Sequence, residues 1–156
     1  MNSAALHCDY DLMYACDLRW WDTYHARIDP AKGWTSNVDA AKQYGLNLVP
    51  ISQGRGFAKQ GIHQNGRCSG DHVIQLARYL GYDRVLLIGY DCQDTNGQAH
   101  FHGQHPDGLN GKRNHSRWQQ GFIALAQTAD IDIVNCSEQT ALDCFPRQSL
   151  EAALYA

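Results

Sequence analysis

The chain has 156 residues, of which 44% are apolar and 19% are charged. These values are typical of a soluble globular protein with one sizeable core, so we predict a single domain over residues 1–156. The formal charge is −3 and there is no basic tract, which argues against non-specific nucleic-acid binding but leaves a nucleotide pocket open. Without a signal peptide or an apolar run of about 18 residues, we expect a cytoplasmic protein with no membrane partner.

The six cysteines form no CxxC pair and are irregularly spaced. This spacing is typical of free, mostly buried thiols in a reducing cytoplasm rather than of a disulfide framework or a cysteine zinc site. We therefore predict free thiols and no cofactor.

Four segments predict β-strands: LMYACD (12–17), LNLVPIS (46–52), RVLLIGYD (84–91) and IDIVNC (131–136). The last two contain continuous rather than alternating apolar runs, as in a parallel sheet that is covered on both faces.

Four helical patterns alternate with these strands: SNVDAAKQYG (36–45), SGDHVIQLARYLG (69–81), NHSRWQQGFIALAQ (114–127) and SLEAAL (149–154). Ser36, Ser69, Asn114 and Ser149 are predicted to start them, because their side chains can cap free backbone N–H groups. Alternating strands and helices predict an α/β fold, a three-layer sandwich around a mainly parallel, Rossmann-like sheet.

Ligands of parallel α/β sheets bind beyond the carboxyl ends of the strands. The polar residues predicted at those ends are Asp17, Asp91, Asn135 and Ser137. Asp91, after the most apolar strand, is predicted to be a site residue, although it could also cap a turn.

Several motifs together resemble a known family: IHQNGRCSGDHVIQLARYLGYDRVLLIGYD (62–91), HFHGQHP (100–106), NHSRW (114–118) and IVNCSEQTALDCFP (133–146). They resemble a family of small phage and prophage proteins, distantly similar to bacterial sialyltransferases with a single glycosyltransferase domain. Hydroxymethylpterin pyrophosphokinase-like proteins are similar as well. The resemblance covers roughly residues 2–154 and implies a phage protein in the cytoplasm of its bacterial host.

The resemblance also implies residue roles. Ser69 and Gly70 match a helix start near the ligand phosphate, which agrees with the partial positive charge and free N–H groups of helix N-termini. His115, beside Ser116, matches the general base, and histidine titrates near neutrality as that role requires. The positions that match nucleotide contacts are Asn2, Asp17, Asn135 and Ser137.

The chain departs from this family at its beginning. It contains neither GxGxxG nor GxxxxGK[ST], and it starts as though the family's first strand and Gly-rich turn were missing. The short sheet and the adjacent Trp20 and Trp21 lead us to expect a homodimer. The two tryptophans favour packing or an interface over a platform for a base.

A histidine-rich loop, HFHGQHPDGLNGKR, follows Asp91. His100, His102 and His105 could converge on a zinc, iron or nickel ion together with Asp91, could contact substrate, or could be structural. We favour substrate contact, with Arg113 in the same loop, and assign no metal.

These residues predict a nucleotide- or nucleotide-sugar-binding protein, and the resemblance implies that, if it is an enzyme, it is a glycosyltransferase that uses His115 and Asp91. Arg67 or Arg113 would assist the helix start at Ser69 with the leaving phosphate. Two alternatives stay open: a non-catalytic protein that sequesters a nucleotide, and a metal-dependent phosphoester or nucleotide hydrolase built on the histidine loop.

Overall fold

The computed structural model describes residues 4–94, 109 and 114–155. Five α-helices and three 3-10 turns lie in these ranges: α1 (Leu18–Tyr24), α2 (Val38–Tyr44), α3 (Ser69–Tyr79), α4 (His115–Thr128), α5 (Leu150–Leu154), and the turns Ala4–Leu6, His25–Arg27 and Pro30–Lys32. The strands are β1 (Met13–Tyr14), β2 (Gly33–Thr35), β3 (Asn47–Leu48), β4 (Arg84–Leu87) and β5 (Asp132–Asn135). Asn2, His100, His102, His105 and Arg113 lie outside the described residues.

The strands form two small sheets. One has the order β1-β2-β3 and the other pairs β4 with β5. Every ladder is parallel, with Tyr14 opposite Trp34 in the first sheet and Leu87 opposite Asn135 in the second. The α/β class and the parallel pairing are therefore confirmed, while within the described ranges no ladder joins β1 to β4.

Helix α3 packs against both sheets. Leu76 lies in a buried cluster with Tyr14 of β1 and with Val49, the residue after β3. Ile74, two residues earlier, lies in a cluster with Leu87 of β4 and with residues of α4 and β5. Since positions two apart lie on opposite sides of a helix, α3 packs between the two sheets.

The predicted helices are present, with small shifts at their starts. Asn114 and Ser149 cap α4 and α5 as predicted, accepting from the N–H groups of Arg117 and Ala152. Asn37, not Ser36, caps α2 by accepting from Ala40 N–H at 2.9 Å, and Cys68 rather than Ser69 is the cap residue of α3.

Two elements were missed in the sequence. Helix α1 (LRWWDTY) is only seven residues long and rich in aromatic residues, which are mediocre helix formers. It forms because Asp17 caps it, accepting from Arg19 N–H at 3.0 Å, and because both of its tryptophans are buried. Strand β2 (GWT) has three residues, too few for an apolar period to be recognised.

Strand β4 is less buried than its apolar sequence predicts. Val85 and Leu86 are only half-buried, and Ile88 just beyond the strand is 61% exposed. Cover on the two faces of this strand is therefore partial, and it ends with the strand. In the described part of the chain, no helix has the length and apolar character needed to cross a bilayer.

Candidate functional site at the carboxyl ends of the strands

The start of α3 lies between the carboxyl ends of β1 and β4. Cys16, two residues beyond β1, donates its backbone N–H to Ser69 Oγ at 3.3 Å. Tyr90, three residues beyond β4, donates its hydroxyl to the carbonyl of Gly70, also at 3.3 Å. These two bonds place Ser69 and Gly70 at one edge with both strand ends, which we call the strand-end edge.

The first N–H group of α3 is available at this edge. Ser69 N–H donates no hydrogen bond to any described residue. Burial raises the pKa of the Cys68 thiol, and a hydrogen bond from Gly70 N–H to its sulfur opposes that rise, so the second N–H is engaged. An orphan donor such as Ser69 N–H, with the positive end of the helix dipole, is the kind of group that binds anions at helix starts. The 11-residue length of α3 supports a developed dipole.

A buried carboxylate holds the segment that leads into α3. Asp71 is fully buried, and its Oδ2 accepts from Gly66 N–H at 2.9 Å while its Oδ1 accepts from Cys68 N–H at 3.1 Å. Arg67, between these two donors, has a φ of 54°. A side-chain-bearing residue adopts this left-handed conformation only when its surroundings enforce it, and Asp71 does so from both sides.

His115 is the first residue of α4 and lies beside a carboxylate. Its Nε2 atom is 3.8 Å from Asp94 Oδ1, and the two side chains are 30% and 48% exposed. The ring also meets Trp118 edge-on, with centroids 5.1 Å apart. The sequence analysis predicted Asp91, the last residue of the apolar run, as a site residue and did not predict Asp94. The position of Asp94 within a few residues of a strand end was the one signal that could have identified it.

Cys92 joins the end of β4 to the start of α4. Its thiol donates weakly to the carbonyl of His115 at 3.8 Å, and its φ of 51° is again left-handed. Arg67 and Cys92, both left-handed and both bearing side chains, thus precede α3 and follow β4 at the same edge.

Asn135 and Ser137 brace the strand ends from within. Ser137 Oγ accepts from Tyr90 N–H at 2.8 Å, and Asn135 Oδ1 accepts from Ser137 N–H at 3.0 Å. The Asn135 amide also donates to Thr140 Oγ1 and to the Leu142 carbonyl. Both side chains are buried, so their polar groups serve the fold and position the neighbouring backbone.

Asp17 and Asp91 occupy different positions at this edge. Asp17 is exposed and caps α1. Asp91 is half-buried, and its carbonyl accepts from Ala141 N–H at 2.8 Å, which ties the end of β4 to the loop after β5.

Trp20 and Trp21 are core residues. They are 2% and 0% exposed, and Trp21 Nε1 donates to the Ala15 carbonyl at 3.0 Å. They provide neither an interface nor a platform for a base, so they give no support to the predicted homodimer.

The thiols near the edge are protonated at neutral pH. Burial raises the pKa of Cys16 and Cys68, and it raises the pKa of Cys92 and of Cys144 to about 11. Thiolates are the nucleophiles and metal ligands of cysteine, so these four groups are poorly suited to either role.

The predicted free thiols are confirmed for all six cysteines: Cys8, Cys16, Cys68, Cys92, Cys136 and Cys144. The expectation that most of them are buried is wrong, because Cys8 is exposed and the other five are only partly covered. Across residues 4–94, 109 and 114–155, no three His, Cys, Asp or Glu side chains are grouped as they would be to hold a metal ion. The histidine loop proposed as a metal or substrate site lies outside those ranges.

A cavity of about 420 Å³ lies at the other end of α3 and β4, where Arg78, Tyr82, Asp83 and Asp130 are among its lining residues. Arg78 donates to both carboxylate oxygens of Asp130 at 2.6 Å. Because the Arg78 guanidinium is already paired with Asp130, it is not left for a ligand. The cavity lies at the opposite ends of α3 and β4 from the strand-end edge. We therefore assign the candidate site to the edge.

The fold and this edge define an α/β protein with parallel strands and two helix starts at one side. Comparison of the chain with protein-family models, with curated proteins and with solved structures finds no match.

Proposed function

We propose that this protein binds a nucleotide or nucleotide sugar at the strand-end edge and transfers the sugar to an acceptor. The observation that carries the proposal is the position of the start of α3 between two strand ends, where Ser69 N–H has no described acceptor. Asp71, in the first turn of α3, already accepts from Gly66 and Cys68. The Ser69 N–H donor is therefore left for a ligand phosphate.

His115 is the proposed general base. With Nε2 directed towards Asp94, Nδ1 is the nitrogen that takes the acceptor's hydroxyl proton, and Asp94 stabilises the resulting imidazolium. The acceptor oxygen then bonds to the anomeric carbon while that carbon's bond to the phosphate oxygen breaks. The nucleotide leaves with the bonding electrons, and the start of α3 stabilises its negative charge.

We also propose that the two sheets belong to one three-layer, Rossmann-like architecture. The orders β3-β2-β1 and β4-β5 agree with a doubly wound arrangement, and α3 packs on both sheets. In such folds a ligand binds where the strand order reverses, beside β1 and β4.

A non-catalytic nucleotide-binding protein is the second candidate. The 3.8 Å between His115 Nε2 and Asp94 Oδ1 exceeds hydrogen-bond distance, so no hydrogen bond between these two side chains fixes the base in this conformation. A protein that only sequesters a nucleotide needs the helix start and not this pair.

Ser69 allows a sharp test of phosphate binding. Ser69→Pro removes the first N–H of α3 at a position where proline suits a helix, and Cys68 before it has the extended φ of −131° and ψ of 153° that proline requires. Ser69→Ala is the matched control, because it removes only the hydroxyl. We expect CMP, UDP and their sugar conjugates to raise the melting temperature of the metal-stripped protein, and Ser69→Pro to bind about tenfold more weakly than Ser69→Ala.

Equal binding by the two Ser69 variants would contradict phosphate recognition at α3. A shift in melting temperature with zinc, nickel or manganese alone would favour the metal-dependent hydrolase instead.

His115→Ala separates the transferase from the sequestering protein. We expect retained nucleotide-sugar binding and a loss of turnover of at least about 100-fold, since general-base catalysis contributes that much or more. His25→Ala, at an exposed histidine, is the control. Tight binding without turnover in the unmodified protein would establish the non-catalytic candidate.

A further inference from the structure

His72 occupies an enclosed polar cluster behind the start of α3. It is 2% exposed, and its Nδ1 lies 2.9 Å from the hydroxyl of Tyr14, which donates to Ser36 Oγ at 2.8 Å. With the tyrosine proton directed to Ser36, His72 donates from Nδ1, and its Nε2 carries a lone pair.

The lone pair of Nε2 faces a carboxylate. Asp71 Oδ1 is 3.9 Å from it, and Nε2 has no hydrogen-bond partner among the described residues. Two acceptors therefore face each other in a buried place, separated by about 1 Å more than a charge-assisted hydrogen bond requires. One added proton would turn this contact into an attractive one.

The other titratable groups around His72 are neutral at working pH. Burial raises the pKa of Tyr14 on β1, of Cys16 beyond β1 and of Cys68 before α3, so all three keep their protons. Asp71 is the carboxylate that acts on the imidazole, and it opposes the larger effect of burial, which lowers the pKa of His72.

We propose that His72 is an acid-sensitive latch on the start of α3. When Nε2 takes up a proton, Asp71 turns towards the imidazolium and releases Gly66 N–H and Cys68 N–H. The left-handed Arg67 between those donors then loses what holds it, and residues 66–68 open. This inference concerns the fold itself and holds whether or not the edge binds a nucleotide.

The direction with pH follows from linkage. Because burial lowers the native pKa of His72, the unfolded chain takes up this proton first, near the ordinary value of about 6.5. Above that pH the histidine is neutral in both states and its contribution to stability is constant. As pH falls through the interval down to the native pKa, His72 alone raises the unfolding equilibrium constant by up to about tenfold per pH unit.

Hydrogen exchange tests the latch directly. Protection factors of the Gly66 and Cys68 amides, corrected for intrinsic rates, are measured from about pH 7.5 to about pH 5. We expect them to fall at least about tenfold more than that of the Leu125 amide in the interior of α4. His72→Asn retains a side-chain N–H near the position of Nδ1 and cannot titrate here, so its protection should be flat, whereas His25→Asn should behave like the unmodified protein.

An equal decline in His72→Asn, or an unchanged protection in the unmodified protein after His72 has become protonated, would overturn the proposal. Should His72→Asn fail to fold, ring ¹⁵N titration of the unmodified protein decides. The protonation midpoint of His72 must coincide with the midpoint of the Gly66 and Cys68 amide shifts, and separate midpoints refute the latch.

Discussion

The starts of α3 and α4 meet at the same edge but are built differently. At α3, the carboxylate of Asp71 is fully buried and accepts from Gly66 and Cys68. At α4, the cap residue Asn114 is exposed and accepts from Arg117 N–H at 3.0 Å. The first start is enclosed by the fold, whereas the second presents its side chains to solvent.

This difference separates two tasks. A start whose leading segment is held by a buried carboxylate keeps its remaining backbone donor in a fixed position, which suits recognition of a phosphate. A half-exposed His115 can meet an acceptor and exchange protons with it. In the proposed function α3 therefore holds the ligand and α4 performs the chemistry.

The largest expected loss of stability comes from a substitution at the start of α3. Asp71→Ala leaves two backbone N–H groups near a buried site without their acceptor, and we expect the free energy of unfolding to fall by about 3–5 kcal/mol. Asn114→Ala removes the exposed side-chain acceptor at the start of α4 and should lower the free energy of unfolding by about 1 kcal/mol. Urea denaturation of both variants measures the difference, and similar losses would show that burial does not distinguish the two starts.

A second variant tests the contact between the two regions. Gly121 of α4 packs against the segment before α3 so closely that an added Cβ would overlap Gly66 N and Cα. Alanine normally stabilises a helix interior by about 1 kcal/mol over glycine. Here we expect Gly121→Ala to destabilise by about 1–3 kcal/mol.

Gln120→Ala, on the exposed side of α4, is the control for Gly121→Ala and should change stability by less than about 0.5 kcal/mol. A Gly121→Ala variant that melted at a higher temperature than the unmodified protein would contradict the tight packing of α4 on Gly66.

The smallest expected change in stability comes from removing an exposed ion pair at the other end of α3. The Arg78 guanidinium holds the pKa of Asp130 below its ordinary value, so this pair stabilises above the ordinary carboxyl pKa and its contribution is lost as pH falls through the native one. Asp130 is 54% exposed, and Asp130→Asn should therefore lower stability by at most about 1 kcal/mol at low salt. Melting curves in about 1 M salt should show almost no difference, and a persistent one would identify a role beyond charge.

Local signals in the sequence predicted most elements. Ser149 and Asn114 before apolar patterns marked helix starts, and Gly45, with its φ of 66°, marked the end of α2. The division into two sheets was not predictable, because pairing between distant strands leaves no periodicity in either one. The exposure of Ile88 was missed for the same reason, since burial of a strand depends on neighbours that its own residues do not specify.

The site was predicted only in outline. Strand-end reasoning and family resemblance drew attention to Ser69, Gly70 and His115, and the structure places all three at one edge or beside it. Asp71 and His72 were not predicted as site residues, because no local pattern in the sequence marks them. The inward turn of both side chains arises from the packing of α3 against two sheets.

The protonated thiols allow opening of the strand-end edge to be followed by alkylation of the protein's own cysteines. Cys16, Cys68, Cys92 and Cys144 have raised pKa values and partial cover, so an alkylating reagent reacts with them mainly when the surrounding structure opens. Cys8 is exposed and should react at once, which supplies an internal reference on the same molecule. The ratio of the slow labelling rate to the fast one then measures the fraction of molecules in which the strand-end edge is open, and no cysteine has to be added to the protein.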